Sequence, residues 1–149
     1  MTTLEEDDIV APRLALADAQ QVLDAALAKA EEIKQPMNVA VVDDGGHLLA
    51  FARQDGAILA SVDIAIRKAR TAALLKMTTA DVGAAAAPGA PLYGIEVTNG
   101  GLVIFGGGIP LVRGRDVVGA IGVSAGSVEQ DTTVAEAGAE ALPKRTTRR

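Results

Sequence analysis

The sequence predicts an α+β domain in which a five-stranded antiparallel sheet is flanked by helices. Three observations support this class. Several β-rich runs follow one another through short turns, as in hairpins, instead of alternating with helices. Amphipathic helical patterns stand near both ends of the chain and in its middle. Finally, 49% of the 149 residues are apolar but only 2% are aromatic, so small and branched side chains must pack helices closely against the sheet.

The first predicted elements are a long helix and a hairpin. Apolar residues recur at helical spacing from Leu16 to Ile33, and Pro36 marks the end of this helix. The stretch NVAVVDDGGHLLAFAR then contains two β-rich runs around DDGG, whose aspartate and glycine residues suit a tight turn. Both faces of the run from Val39 to Val42 are apolar, which predicts a strand inside the sheet with packing on each side.

Two further helices are predicted in the middle of the chain. Ser61 can cap a helix that runs to about Met77, and Thr79 can cap a short helix through ADVGAAAA. The prolines at positions 88 and 91 then break the chain.

Three strands and a last helix are predicted in the C-terminal third. The strands are GLVIF, IPLV and VVGAIGVS, and a turn at RGRD joins the last two. Ser127 and Gln130 have the spacing of a capping box, which starts a final helix that ends around Leu142. The predicted order is therefore α-β-β-α-α-β-β-β-α.

Composition and charge exclude several classes of protein. The chain has no cysteine, which excludes disulfides, zinc–thiolate sites, iron–sulfur clusters and cysteine nucleophiles. The net charge is −5 although basic residues crowd the C-terminus, so the body of the chain is more acidic still. An acidic surface with few aromatic residues disfavours nucleic-acid binding.

The ends of the chain predict its organisation and location. No apolar run is as long as a membrane span, and the acidic start MTTLEEDDIV differs from a signal peptide, so a cytoplasmic protein without membrane binding is expected. We expect residues 1–13 to be loose, residues 14–142 to form a single domain, and residues 143–149 to form a basic tail.

The glycine-rich segment FGGGIPLVRGRDVVGAIGVSAGS, residues 105–127, has part of the glycine spacing of two nucleotide-binding motifs but lacks residues that each motif requires. Gly101 and Gly106 have the P-loop spacing, but Gly107 and Gly108 stand where that motif needs lysine and a hydroxyl residue. A dinucleotide fingerprint fails because Leu111 replaces its third glycine and a strand follows. The alternative is that these glycines shape strand ends and let a helix or a ligand approach the sheet backbone.

Several segments together resemble the GlcG/HbpS-like family, which also includes the PduO C-terminal domain. They are FGGGIPL, VVGAIGVSAGSVEQD, VAVVDDGGHLLAFARQDGA, DIAIRKARTAALL and PGAPLYGIEVTNGG. The resemblance runs from about Leu14 to Leu142. It implies a five-stranded antiparallel sheet related to profilin-like and roadblock-like domains, assembled into homo-oligomers. It also implies a small-molecule ligand, with haem as a candidate cofactor.

Three charged residues are candidates for catalysis. Lys68 projects from a largely apolar helix stripe within the KARTA block that the resemblance covers, and a lysine there could act as a base or hold a carboxylate. A snorkelling side chain that reaches solvent is the alternative. Arg53 ends a strand and could clamp a carboxylate or a haem propionate, or form a surface salt bridge. Glu129, like Asp131, lies in the first turn of the last helix, where the helix dipole alone explains an acid.

Uncharged residues near strand ends and turns are candidates for ligand binding. Asn38, Tyr93 and Asn99 could orient a ligand or satisfy loop backbone. Backbone N–H groups of Gly126 to Val128, at the start of the last helix, could bind an anion. The predicted ligand-binding set is Asn38, Tyr93, Asn99, Gly106, Gly107, Gly108, Gly126 and Ser127.

This sequence lacks a haem-ligating residue that the family resemblance leads one to expect. Haem binders of the PduO type are associated with a histidine in the first helix, and Leu14 to Gln35 contains none. His47, the one histidine of the chain, follows the hairpin turn, and Met37, Met77 and Tyr93 are the other conceivable axial ligands. No metal site rich in histidine can be assembled.

The sequence is compatible with three functions. The first is a binding module for haem, another tetrapyrrole or a small anionic metabolite held between helix and sheet. The second is a cofactor-free isomerase, lyase or hydrolase that uses acid–base chemistry on a small carboxylate or carbonyl compound. The third is an assembly subunit without a ligand. The number of subunits is left open, as is whether the pocket lies within one chain.

Overall fold

The computed structural model describes residues 14–145, which form three layers with a sheet in the middle. The described elements are α1 (Leu16–Glu32), β1 (Asn38–Asp43), β2 (Leu48–Arg53), α2 (Ala60–Leu75), α3 (Thr79–Ala85), a 3₁₀ turn (Ile95–Val97), β3 (Gly108–Arg113), β4 (Asp116–Ser124) and α4 (Val128–Glu140). The strand order is β2-β1-β4-β3, and each neighbouring pair is antiparallel. The α+β class is as predicted.

The prediction of five strands is wrong, because the described part of the chain contains four. The segment GLVIF is not a strand, since its backbone donors bond outside any sheet. Leu102 N–H donates to the carbonyl of Glu96 at 2.9 Å, and Val103 N–H donates to the hydroxyl of Thr71 on α2 at 3.0 Å. Side chains at 102 and 103 are buried, so an apolar run that reads as a strand is instead a packed connection.

The two faces of the sheet pack against different helices. On one face, alternate valines of β1 and β4 contact α1 and α4. On the other face, Ala40, Val42 and Ala120 contact a stripe of alanines on α2. Gly122 lies under this stripe, where a Cβ atom would collide with the carbonyl of Ala65 and the N–H of Ala69. Small residues therefore let the helix backbone lie directly on the sheet.

Two of the predicted helix caps differ from the observed ones. Helix α2 begins one residue before Ser61, whose buried hydroxyl pairs with that of Ser124 at 3.1 Å. The cap of α3 is Thr78, while the hydroxyl of Thr79 accepts the N–H of Gly108 at 2.8 Å. In both cases the local sequence predicts that the hydroxyl caps the helix, but the hydroxyl forms its hydrogen bond with a group of a neighbouring strand instead. The capping box of α4 is confirmed.

A buried ion pair fastens the ends of the described chain to the sheet. Arg113 on β3 donates to the carboxylate of Asp18 on α1 at 2.9 Å, and both side chains are almost inaccessible. The same guanidinium donates to the carbonyl of Pro143 at 2.9 Å, so the start of the basic tail contacts the domain. The predicted loose segment 1–13 and residues 146–149 of the tail lie outside the described residues.

No helix within residues 14–145 combines the length and the apolar character that crossing a membrane requires.

Candidate functional site

Lys68 is the most deeply buried charged group of the candidate set. Its side chain has no solvent exposure, and its Nζ lies 2.8 Å from Oδ2 of Asp131 in the first turn of α4. The same ammonium donates to the carbonyl of Val123 at 2.9 Å and lies 4.9 Å from the centroid of the Phe105 ring. Lys68 therefore does not snorkel to solvent; it joins α2 to α4 past the end of the sheet.

The ammonium of Lys68 takes the place of a strand donor. Val123 N–H donates to the carbonyl of Gly107 at 2.9 Å, as in an antiparallel ladder. The carbonyl of Val123 accepts a hydrogen bond from the Lys68 ammonium, in the place where a backbone N–H of β3 would donate if that strand extended further. Gly107 has φ +124°, a conformation that turns the chain out of the ladder and that favours glycine. The side chain thus completes the end of β4 where β3 has not yet begun.

The glycine run lies against Lys68 and leaves little room beside it. A Cβ atom at Gly107 would lie 2.6 Å from the lysine Nζ, and one at Gly108 would lie 2.6 Å from a methyl group of Thr79. At Gly106 it would lie 3.0 Å from Val128 and from Thr132 on α4. Close packing explains why these positions are glycine. Their predicted role in ligand binding stays a prediction.

Burial sets the protonation behaviour of the pair. Burial lowers the pKa of Lys68 below 10.5, although the hydrogen bond and the charge of Asp131 act in the opposite direction. Burial also raises the pKa of Asp131 above 3.8, against the influence of Lys68 and of the N–H of Gly126. Each shift has the direction expected when the charged form loses its water.

Asp131 rather than Glu129 is the acid that contacts Lys68. Glu129 is exposed on the same helical turn, and Ser127 is exposed with its hydroxyl bound to the N–H of Gln130. Oδ1 of Asp131 accepts the N–H of Gly126 at 2.9 Å, which ties the loop before α4 to the ion pair. The sequence contained a signal for this: Asp131 precedes the apolar residues Val134 and Ala135 by three and four positions, on one helical face.

A second polar group lies where β1 and β4 approach the start of α2. Asn38 is fully buried, and its amide donates to the carbonyl of Ile58 at 3.1 Å. The Oδ1 of Asn38 has no hydrogen-bond partner among the described residues. Asn38 stands opposite Arg53 on β2 and opposite Ser124 on β4. Arg53 is exposed, so these two predicted site residues differ in burial although they stand opposite each other on paired strands.

Tyr93 and Asn99 lie on the connection between α3 and β3, and their side chains are exposed. Asn99 has φ +52°, and its carbonyl accepts from Arg70 of α2 at 2.6 Å. Asn99 therefore has a structural role in this connection, which two arginines of α2, Arg67 and Arg70, hold against the helix. Its role in ligand binding stays a prediction.

The other conceivable iron ligands differ in solvent exposure. The ring of His47 is 81% exposed and lies 3.2 Å from the carboxylate of Asp43, within its own hairpin. Met37 is fully buried in the core beside α1, and Met77 is half-buried. No group of three histidine, aspartate or glutamate side chains within residues 14–145 is arranged to hold a metal ion.

The sequence of this chain matches the family model described as Haem degrading protein HbpS-like over residues 14–140. Among curated proteins, an uncharacterized 15.0 kDa protein of Citrobacter freundii, from the dhaT-dhaS intergenic region, is 46% identical over 83% of this chain and 87% of its own. Protein GlcG of Escherichia coli K12 is 38% identical over 71% of this chain and 80% of its own.

Corrinoid adenosyltransferase PduO of Citrobacter freundii is 39% identical over 89% of this chain. The chain spans only 40% of the length of that enzyme.

Two solved structures show the same fold. The complex of PduOC with haem has a TM-score of 0.84 at 36% identity, covering 91% of this chain and 99% of its own. HbpS has a TM-score of 0.81 at 30% identity, covering 96% of this chain and 99% of its own. The match over residues 14–140, together with these relatives, shows that the chain belongs to the HbpS-like family.

Proposed function

We propose that this protein is a small-molecule-binding protein whose ligand is haem or a related tetrapyrrole. The observation that supports this most strongly is the likeness of 91% of the chain, at 36% identity, to a domain that was solved with haem. The family model, which is named for a haem-degrading protein, supports the same class of ligand.

The residues of this chain favour an oxygen ligand for the haem iron. The segment before α1 and α1 itself contain no histidine, His47 belongs to an exposed hairpin turn, and Met37 is closed inside the core. Tyr93 is 69% exposed, and its hydroxyl has no hydrogen-bond partner among the described residues. Tyr93 and His47 are both reachable by a haem without opening the core, but the His47 ring contacts Asp43 while the phenol oxygen of Tyr93 has no such partner among the described residues.

The surroundings of Tyr93 suit an apolar ring. Leu92 and Val97 are exposed on the same connection, one and four residues from Tyr93 in the sequence, and exposed apolar side chains close together favour contact with an apolar ligand. Leu92 and Val97 would hold the haem through apolar contacts, and the phenol oxygen of Tyr93 would bind its iron. When bound, haem would provide an iron centre able to bind small ligands and to exchange electrons.

Titration of the protein with haemin tests the proposed ligand. We expect a sharpened Soret band that saturates at about one haemin per chain, because a specific site has a fixed stoichiometry. Broad absorbance that never saturates, equal to that of haemin with an unrelated acidic protein, would overturn the proposal.

Acid–base catalysis by Lys68 is the second candidate function. The observation in its favour is burial, which lowers the pKa of Lys68 toward the range in which an amine can accept a proton. Its ammonium is held by Val123 and Asp131 and lies over Phe105, so a substrate would have to displace one of these groups. Lys68→Met should then abolish turnover under conditions in which circular dichroism shows the variant to be folded, and retained turnover would remove Lys68 from the mechanism.

We also propose that the protein forms a homo-oligomer, which its exposed apolar side chains on several surfaces support. Light scattering coupled to gel filtration would test this: a mass of one chain at micromolar concentration would contradict it.

A further inference from the structure

An open cleft lies where the end of α1 meets the end of β2. Its volume is about 540 Å³, within the range of small-molecule sites. The lining residues are Ala30, Glu31, Lys34, Gln35, Pro36, Arg53, Gln54 and Asp55. This cleft is distinct from the buried Lys68 pair, none of whose residues lines it.

Two glutamines fix the walls of the cleft. Gln54 accepts the N–H of Met37 at 2.9 Å and donates to the carbonyl of Leu27 on α1 at 3.3 Å. Gln35 donates to the carbonyl of Ala125 at 3.3 Å. Because both amides are committed to backbone groups, the cleft keeps its shape without help from its charged side chains.

Four charged side chains line the cleft: two cations, Lys34 and Arg53, and two acids, Glu31 and Asp55. The structure gives none of the four a side-chain hydrogen bond or ion pair with another described residue. The cleft therefore offers free charges of both signs on a fixed frame.

Lys34 occupies a backbone conformation that normally belongs to glycine. It follows the end of α1 with φ +57°, and Gln35 N–H donates to the carbonyl of Ala30 at 3.0 Å, as in a Schellman motif. Glycine would fit this position without a Cβ penalty. Lys76 shares this conformation outside the cleft, so what distinguishes Lys34 is the place of its side chain in the cleft lining.

We propose that this cleft binds a small zwitterion, a molecule with a carboxylate at one end and an ammonium group at the other. The cations Lys34 and Arg53 would hold the carboxylate, and the acids Glu31 and Asp55 would hold the ammonium group. A simple anion gains less, because the two acids oppose the attraction of the two cations. A zwitterion interacts favourably with both pairs, which makes charge complementarity the basis of its selection.

Three matched probes test this proposal: 5-aminopentanoate, pentanoate and pentylamine. They share one carbon chain and differ only in which charged ends they carry. Binding is followed by NMR as saturable shifts of the amide signals of residues 30–36 and 53–55 in the full chain. We expect 5-aminopentanoate to bind at least tenfold more tightly than either single-ended probe. Equal affinity for pentanoate, or no saturable shift with 5-aminopentanoate, would overturn the proposal.

A pair of lysine variants separates the side chain from the backbone. Lys76 also follows a helix with a left-handed backbone, φ +55°, and it is exposed outside the cleft. Lys34→Gly should weaken 5-aminopentanoate binding at least fivefold, whereas Lys76→Gly should leave it unchanged. Equal affinity of both variants and the wild type would contradict a role for Lys34. Because no probe contains a porphyrin, these results are independent of haem binding.

Discussion

The ammonium of Lys68 lies 2.8 Å from the carboxylate of Asp131, and both side chains are buried. Through this contact, α2 on one face of the sheet is joined to the first turn of α4, which packs on the other face. The carbonyl of Val123 and the N–H of Gly126 complete the arrangement. The pair thus holds together the glycine run, the end of β4 and the start of α4.

Replacing Lys68 by methionine should strongly destabilise the fold. The change leaves the carboxylate of Asp131 buried without its partner, a defect that costs about 3–5 kcal/mol. Urea denaturation gives the free energy of unfolding. Lys29→Met is the matched control, because Lys29 pairs with Glu32 at the surface and such pairs contribute at most about 1 kcal/mol. Equal effects of the two variants would show that the buried pair has no special role.

The stability that this pair contributes should depend on pH in two opposite directions. Because the pKa of Asp131 is raised, the folded chain holds more protons than the unfolded chain just above 3.8, and stability falls as the pH rises through that window. Because the pKa of Lys68 is lowered, the unfolded chain holds more protons just below 10.5, and stability rises as the pH approaches that value.

The measurement for this prediction is the unfolding free energy of the wild type minus that of the double variant Lys68→Met, Asp131→Asn. This difference in unfolding free energy should favour the wild type least at pH values between the two windows. It should shift in favour of the wild type as the pH falls toward 3.8 or rises toward 10.5. A difference that peaks near neutral pH would contradict the direction of both shifts.

Gly122→Ala should displace α2 from the sheet. The new methyl group would collide with backbone atoms of Ala65 and Ala69, which cannot rotate away as a side chain can. A cost of about 3 kcal/mol or more is expected from such overpacking. Thermal unfolding measures it, with Gly114→Asn as the control, since Gly114 has open space around it and a φ of +61° that asparagine tolerates. Similar melting temperatures for both variants would refute this account of Gly122.

Thr79→Val should remove the acceptor of the Gly108 N–H at the start of β3. Valine keeps the shape of the side chain but leaves a buried donor without a partner, at a cost of about 1–3 kcal/mol. Thr133→Val on the exposed side of α4 is the control and should change stability little. Denaturation midpoints that coincide would exclude a contribution from the Thr79 hydroxyl.

Much of the fold could be predicted because its elements carry strong local patterns. Helix α1 has a clear apolar period, and the hairpin turn before Leu48 has the expected aspartates and glycines. The segment GLVIF has the composition of a strand as well. What excludes it from the sheet is a hydrogen bond to Thr71, about thirty residues earlier, and local sequence cannot show such a partner.

The candidate site could be predicted only in part for a similar reason. The place of Lys68 on an apolar helix stripe makes it a candidate, and the structure shows that its side chain is buried and does not snorkel to solvent. Its partner Asp131 is a residue whose position in a first helical turn has a sufficient local explanation in the helix dipole. The choice between Asp131 and Glu129 depends on which face of α4 meets the sheet. The buried positions of Val134 and Ala135 decide it.

The most direct test of the proposed function is a haemin titration of the wild type beside Tyr93→Phe and His47→Ala. We expect saturation at about one haemin per chain for the wild type and for His47→Ala. Tyr93→Phe should bind at least tenfold more weakly, with an altered Soret band, because it lacks the oxygen ligand. Unchanged binding and an unchanged spectrum in Tyr93→Phe would contradict the role of Tyr93, and absence of saturable binding in the wild type would contradict haem as the ligand.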